Sequence, residues 1–481
     1  MRPNIAHRTT SILLLILSVI SLSCCSTGDK TFVILSTNDM HAQIEKFPLL
    51  ASAVEQCRDT TEVILVDAGD RWTGNAFVDL VEYYAPMYEL MNKIGYDVTI
   101  YGNHEFDKGQ AYLATANRQA NFPTISANIK SDTTSFPQPA AHHIIEIGGK
   151  KIAFVGIVGN YEANNHPSGK DESYDGLRFS DPHATAAEYS YLAEENDMLV
   201  LLSHCGLERD VEFANSESSD GYNQIISAHS HELSNQMIDG KLVTQTINRL
   251  KNIGATTVTI TAEGEVKLSH RNVPLADYTP AEEYAAIVEG YYNNPELNAP
   301  IGKAGATFNT SALRNLFAET IRKKAAAQIG LYHAGGVRLE SIPEGDISMA
   351  TLLNIEPFGS CIAKMTMTPA QLEKLIVAKF NNKKNLDEAH YIDLIATTPY
   401  TVITDENGDA VQVIFPELDE KKSYTVATGD YIFKSYSNLN YSKGEITETL
   451  ITETLKEYIE SHDAIAPNSI ELQTIEPQTK E

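Results

Sequence analysis

Five times in the first half of the chain an apolar, β-branched run gives way at once to acids, imidazoles or an amide. "TFVILSTNDMH" ends in Asp39 and His41, "EVILVDAGD" in Asp67 and Asp70, and "DVTIYGNHEFD" in Asn103, His104 and Asp107. "MLVLLSHCG" ends in His204, and "QIISAHSHE" in His229 and His231. A turn explains a glycine or an asparagine, but it does not need this repeated mixture of carboxylate and imidazole. Together these side chains exceed what one cation uses and suit two borderline divalent ions, Zn, Mn, Fe or Co; nitrogen donors suit Mg or Ca poorly. Two such ions clamp the attacking and departing oxygens of an in-line displacement. The one-residue spacers in Asp39-x-His41 and His229-x-His231 place both members of each pair on one side of an extended chain. Asp67 reads as a cap on the turn after its strand rather than as a ligand. Gly69 and Gly102 permit sharp turns, and His142, His143 and His183 read as surface or satisfied core histidines.

The elements that must carry these residues alternate from Thr31 to about Val273, short strand-like runs with helical ones. The helical runs include Phe77 to Ile94, and Asp181 to Asn196 with its Asp-Pro entry. Gly148-Gly149 supplies the turn of a hairpin in "EIGGKKIAFVG". This is α/β layering, in which ligands bind outside the carboxyl ends of the strands. Five strand ends delivering polar residues to one edge make a site. A Thr-Pro helix entry that dissolves into Asn and Pro marks a linker helix over 277–300, between a catalytic domain at 26–276 and a second α/β domain at 301–475. That second domain carries helices at Ser311 to Gln328, Thr368 to Phe380 and Thr447 to Ser461, and a hairpin around "DENGD".

The formal net charge is -27, from 37 basic and 64 acidic residues. Such a surface repels nucleic-acid backbones and anionic lipid, so no polymeric nucleic acid is expected as a partner. A small anion still binds where a metal reverses the field locally. Residues 1–25 read as a signal peptide of lipoprotein type: Arg2 and Arg8 precede "SILLLILSVISL", and "SLSCCSTGD" resembles a lipoprotein cleavage box with Cys24 or Cys25 lipidated. The expectation is a cell-envelope protein, periplasmic or on the outer membrane, touching membrane only through a lipid anchor. Cys57, Cys205 and Cys361 are too widely spaced for a disulfide framework and read as buried thiols.

"TNDMH", "DAGD", "GNHEFD", "SHCG" and "AHSH" resemble the ordered motifs of the metallophosphoesterase superfamily. With "AGGVR" and "EPFGS", the chain resembles the 5'-nucleotidase family, which includes UDP-sugar hydrolases and 2',3'-cyclic-nucleotide phosphodiesterases. The resemblance implies a four-layer β-sandwich flanked by helices, joined by a linker helix to a smaller α/β substrate-binding domain. It puts one metal on Asp39, His41, Asp70 and His231 and the other on Asp70, Asn103, His204 and His229. It makes His104, oriented by Asp107, the group facing the substrate phosphate. In the second domain it assigns Arg338 to phosphate or sugar, Phe358 and Tyr431 to the two faces of a nucleobase, and His333 to the place of a family asparagine. Further departures are Arg314 for a glycine, no arginine near Thr307, and "SYSNLNY" after the second aromatic. The expected function is a dinuclear phosphohydrolase releasing phosphate from nucleotides or other small phosphate esters. A phosphodiesterase or pyrophosphatase acting on cyclic nucleotides or nucleotide sugars is the alternative, and a non-catalytic binding lipoprotein a more distant one.

Overall fold

The computed structural model describes residues 28–160, 165–381, 391–436 and 443–478. Cys24 and Cys25 lie outside the described residues, as does most of "SYSNLNY". The chain divides into two compact units, one of residues up to 73 with 78–292, the other of 74–77 with 293 onward.

In the first unit β1 (Lys30–Thr37), β2 (Val63–Asp67), β3 (Val98–Ile100) and β4 (Thr124–Ile125) are parallel neighbours. After the short β5 (Ile129–Ser131), β6 (His142–Ile147) and β7 (Lys150–Val158) form a hairpin turned by Gly148 and Gly149 at φ +56° and +75°, as the sequence predicts. β8 (Leu177–Phe179) pairs back on β5. Then β9 (Met198–His204), β10 (Gln224–Ile226), β11 (Leu233–Ile238) and β12 (Lys241–Thr246) complete a sheet of order β11-β12-β10-β9-β7-β6. β13 (Asn252–Ile260) and β14 (Val266–Pro274) complete the other, β14-β13-β1-β2-β3-β4.

Period-2 alternation decides how these sheets layer. Phe32 and Ile34 of β1 pack with Phe154, Val200 and Leu202 in a core between the two sheets. Val33 and Leu35 face the other way, onto helices Phe47–Arg58 and Ala85–Ile94. On the far side of the second sheet, Val155, Leu199 and Leu201 pack with Ala186 and Phe213 of its helices. Strands buried on both faces explain why their sequences read as unbroken apolar runs. The result is helix, sheet, sheet, helix, with β1, β2 and β3 ending at candidate residues in one sheet and β9 and β10 in the other.

Some helices are shorter than their sequence pattern. Phe77 to Ile94 is not one helix: it splits into Ala76–Asp79, a 3-10 turn at Glu82–Tyr84 and Ala85–Ile94. Tyr83 and Tyr84 turn left-handed there, at φ +55° and +52°, just before Pro86, which donates no backbone hydrogen bond. Asp181 caps its helix by accepting from the Ala184 N–H at 2.8 Å, but that helix stops at Glu188 and a second covers only Leu192–Glu195. Helix Glu282–Tyr292 packs on helix Phe47–Arg58 in the first unit.

The second unit is built on a five-stranded sheet, in the order Leu394–Ala396, Ile329–His333, Tyr424–Gly429, Cys361–Met367 and Lys443–Leu450. The last of these takes up the start of the helix expected from Thr447, which begins instead at Ile451. Helix Thr310–Lys324 is capped by Asn309, whose side chain accepts from the Ala312 N–H, and ends in Arg322, Lys323 and Lys324, favourable against the helix dipole. The strands flanking "DENGD", Tyr400–Thr404 and Ala410–Ile414, pair antiparallel. No disulfide joins the described cysteines; Cys57 and Cys205 are buried, but Cys361, the first residue of its strand and next to a register shift, is only partly so. Among the described residues no helix is long and apolar enough to cross a membrane.

Candidate metal centre and a candidate substrate pocket

The strand ends of the first unit converge. Ligand atoms of Asp39, His41 and His231 lie within 4.8 Å of one another, and so do those of Asp70, His204 and His229. Asp39, Asp70, His41 and His204 are almost wholly buried. The spacer argument for Asp39-x-His41 and His229-x-His231 fails, however. Asp39, His41, Asp70, His229 and His231 all have φ between +46° and +78°, so the chain there is left-handed, not extended. Loop geometry places them instead: Asp39 and His41 fall in one group, whereas His229 and His231 fall in different groups. Such backbone costs free energy in a non-glycine residue and persists where the surroundings over-determine it, as functional sites do.

The loop 69–73 and the loop 102–107 hold each other. Glu105 is buried and accepts from the backbone N–H groups of Asp70 at 3.0 Å, Arg71 at 2.8 Å and Gly102 at 2.5 Å. Arg71, also buried, lies against it with Nε 3.6 Å from Oε1 and donates from Nη1 to Thr99 Oγ1 at 2.6 Å. Burial opposes the Arg71 charge, but Glu105 raises its pKa further. Gly102 has no alternative, because a Cβ would sit 2.2 Å from Asp70 Oδ1. Trp72 donates from Nε1 to the His104 carbonyl at 2.9 Å while stacking on Tyr84. Sequence reading missed Glu105, Arg71 and Trp72. An arginine directly after Asp70 and an acid directly after His104 were the available signal. Asp67 does cap its turn, accepting from the Gly69 N–H at 3.1 Å and from Thr37 Oγ1 at 2.9 Å.

Hydrogen bonds also fix which imidazole nitrogen faces the site. Nδ1 of His41 donates to the Thr73 carbonyl at 3.1 Å, and Nδ1 of His204 to the Ala68 carbonyl at 2.8 Å. That leaves the two Nε2 atoms turned inward, as in metal-ligating histidines. His41 Nε2 is 3.1 Å from His231 Nε2, and the Asn248 amide holds the other nitrogen of His231 at 2.9 Å. His204 Nε2 is 3.1 Å from Asp70 Oδ2 without the direction of a hydrogen bond, and it and Asn103 Oδ1 are buried with no hydrogen-bond partner. Burial pushes the Asp70 carboxyl up, but His204, His104 and His41 outweigh it and hold it well below its usual range. Burial pushes the His204 imidazole down, yet Asp70 and Asp39 lift it to about 10. Orphaned buried donors and a field that demands positive charge fit divalent cations.

Beside this cluster, His104 Nδ1 lies 2.8 Å from Asp107 Oδ2, and the His104 N–H donates to Asp70 Oδ1 at 2.9 Å. His104 also falls within 4.8 Å of ligand atoms of His41 and Asp70. A further group, His183, Cys205 and Asp210, is a hydrogen-bonded network: Asp210 accepts from Ser203, Ser227 and His183, and so ties the ends of β9 and β10 together.

In the second unit, His333 and Tyr431 have ring centroids 5.0 Å apart, and the Arg338 guanidinium lies 5.7 Å from the Phe358 ring centroid. Lys379 lies 5.8 Å from the Tyr431 ring and pairs with Asp393 at 2.8 Å. Asp393 also accepts from the Ala334 N–H, fixing the turn that carries Arg338. Burial lowers the Lys379 pKa, but Asp393 and the tyrosines Tyr431 and Tyr436 raise it well above its ordinary value. Lys379 and Asp393 carry no motif in the sequence and were not anticipated.

Residues 32–233 match the calcineurin-like phosphoesterase family, so the first unit is a metallophosphoesterase domain, a class that uses divalent metal ions. Residues 296–443 match the 5'-nucleotidase C-terminal domain, so the chain carries a metallophosphoesterase domain followed by a 5'-nucleotidase C-terminal domain. Endonuclease YhcR of Bacillus subtilis (strain 168) is 26% identical over 495 residues, 89% of this chain. The chain spans only 40% of that relative's length. A 5'-nucleotidase of Vibrio cholerae is 24% identical, with 94% of this chain and 95% of that protein covered. The crystal structure of a 5'-nucleotidase precursor from Thermus thermophilus superposes with a TM-score of 0.78 at 20% identity, covering 93% of this chain and 99% of that one. That likeness is one of fold.

Proposed function

We propose that the chain is a metal-dependent phosphohydrolase that releases phosphate from nucleotides. The observation that carries this is the convergence of buried Asp39, His41, Asp70 and His204 with partly buried His229 and His231 at strand ends of two sheets, where His204 Nε2 and Asn103 Oδ1 are buried without a hydrogen-bond partner. In this reading Asp39, His41 and His231 hold one divalent ion, Asn103, His204 and His229 a second, and Asp70 serves both. Bound there, the ions would supply Lewis acidity toward phosphoryl oxygens and lower the pKa of water. His104, its Nδ1 engaged by Asp107, is the group that donates to the phosphate or protonates the leaving oxygen. In the second unit Arg338 would meet phosphate or sugar, Phe358 and Tyr431 would stack the base, and His333 would support Tyr431 from its side. A relative named as an endonuclease favours a second reading, phosphodiester hydrolysis, although a net charge of -27 works against a polynucleotide substrate. Hydrolysis should be measured on AMP and p-nitrophenyl phosphate by phosphate release, and on UDP-glucose, a 2',3'-cyclic nucleotide and an oligonucleotide by the monoester or fragment each yields, with and without chelator. Chelator-sensitive turnover of AMP above the diesters is the expected result. Turnover indifferent to chelator, or faster on the diesters, would displace the nucleotidase reading.

A further inference from the structure

Thr73, next after Arg71 and Trp72, is 4% exposed and sits at φ +66°. That left-handed conformation is a real outlier for a β-branched residue. It persists when surrounding contacts over-determine it, and three polar ties do so here. The Thr73 N–H donates to Asp79 Oδ1 at 3.1 Å. Its carbonyl accepts from His41 Nδ1 at 3.1 Å. Its hydroxyl donates to Asp107 Oδ2 at 2.7 Å, the same oxygen that lies 2.8 Å from His104 Nδ1.

The carbonyl and the hydroxyl serve different partners. One fixes the tautomer and orientation of an imidazole in the metal cluster; the other holds the carboxylate that orients His104. With Asp79 anchoring the amide, the residue between them cannot shift without moving both. We propose that Thr73 is a positioning residue that locks the His41 imidazole and the His104–Asp107 pair into one geometry, a role resting on the phosphohydrolase reading above. A hydrogen bond to an ionised acceptor is the stronger kind. Losing it lets the Asp107 carboxylate rotate and releases the His104 ring from its aim. The metal cluster is spared, because every residue type supplies the same carbonyl to His41.

This separation gives the test. Thr73→Val keeps the shape, the β-branch and the carbonyl and removes only the hydroxyl; Thr73→Ser keeps the hydroxyl. Kinetics on AMP and p-nitrophenyl phosphate, bound metal and Tm should be measured for both variants. The valine variant should lose about 10- to 100-fold in kcat with KM changed less than about threefold, and bound metal and Tm should stay at wild-type values. The serine variant should stay within about threefold of wild type. In an Asp107→Ala background the valine should cost little more, since the bond it removes is already gone. A valine variant with wild-type kcat overturns the role. So does a serine variant as impaired as the valine, or a loss of kcat that tracks loss of metal or of Tm. A wild-type protein inactive on both esters would overturn the phosphohydrolase reading itself, and this role with it.

Discussion

The polar cluster of the first unit and the aromatic pocket of the second are built on different plans. In the cluster, buried carboxylates, imidazoles and backbone N–H groups are cross-tied: Glu105 alone accepts from three N–H groups of two loops, and Asp70, His41 and His204 each have a fixed orientation. Displacing one member disturbs several. Of the residues assigned to the candidate pocket, Phe358, Tyr431, His333 and Arg338 are only partly buried; His333 meets Tyr431 and Arg338 meets Phe358 through ring and cation–ring contacts, each of about 0.5–2 kcal/mol. The lesson is one of tolerance. A cross-tied cluster holds its residue types, whereas the partly buried rings are held more loosely: Tyr431 meets His333 and Lys379, and Lys379 pairs with Asp393.

The largest effect should come from breaking the cluster at a point outside the residues proposed to hold metal. His104→Asn should lower kcat by about 10²–10⁴-fold while bound metal stays unchanged. Loss of metal in that variant would move His104 among the ligands, a placement its proximity to His41 and Asp70 allows.

A smaller effect separates the units by pH. His270 on β14 is buried, with Thr256 Oγ1 2.9 Å from Nδ1, and burial pushes its pKa from 6.5 to about 4 against the opposing Asn272 contact. The fold holds it neutral while the unfolded chain takes up a proton below 6.5. Its contribution is therefore full above that pH and is lost as pH falls from 6.5 towards 4, to a total of about 3 kcal/mol. Urea melts at pH 7 and pH 4.5 should show the first unit weakened, and His270→Gln should lessen that difference. Identical pH dependence in the variant would remove His270 as the cause.

The smallest effect tests the pocket. Phe358→Ala should raise KM for a nucleotide about 5- to 150-fold, the worth of stacking one base, and leave p-nitrophenyl phosphate turnover nearly unchanged. Equal loss on both substrates with a lowered Tm would make Phe358 a packing residue.

The two plans also explain what could be read from sequence. Candidate ligands were legible because each stands directly after a strand whose apolar run is unmistakable, and strand ends of an α/β sandwich meet at one edge. The four-layer order was implied by the family resemblance, and the strands, too apolar to have an exposed face, account for it physically. The left-handed backbone at Asp39, His41, His229 and His231 was not legible, because it is imposed by hydrogen bonds from distant loops, such as the Asp39 N–H to the Gly69 carbonyl. The break at Tyr83 and Tyr84 was hidden for a similar reason: an aromatic pair at helical spacing satisfies the pattern, while Trp72 and Tyr112 hold those rings in a different place. Lys379 and Asp393 lie far apart in sequence and become a pair only in the folded second unit.

The central claim is that the strand-end cluster is one dinuclear site joined through Asp70. Metal content of the purified, metal-loaded protein measures it directly, in wild type and in Asp70→Asn. About two transition-metal ions per chain are expected in wild type and the weakening of both together in the variant, with Tm reporting whether the fold survives. One ion per chain in wild type, or full occupancy in a folded Asp70→Asn protein, would contradict it.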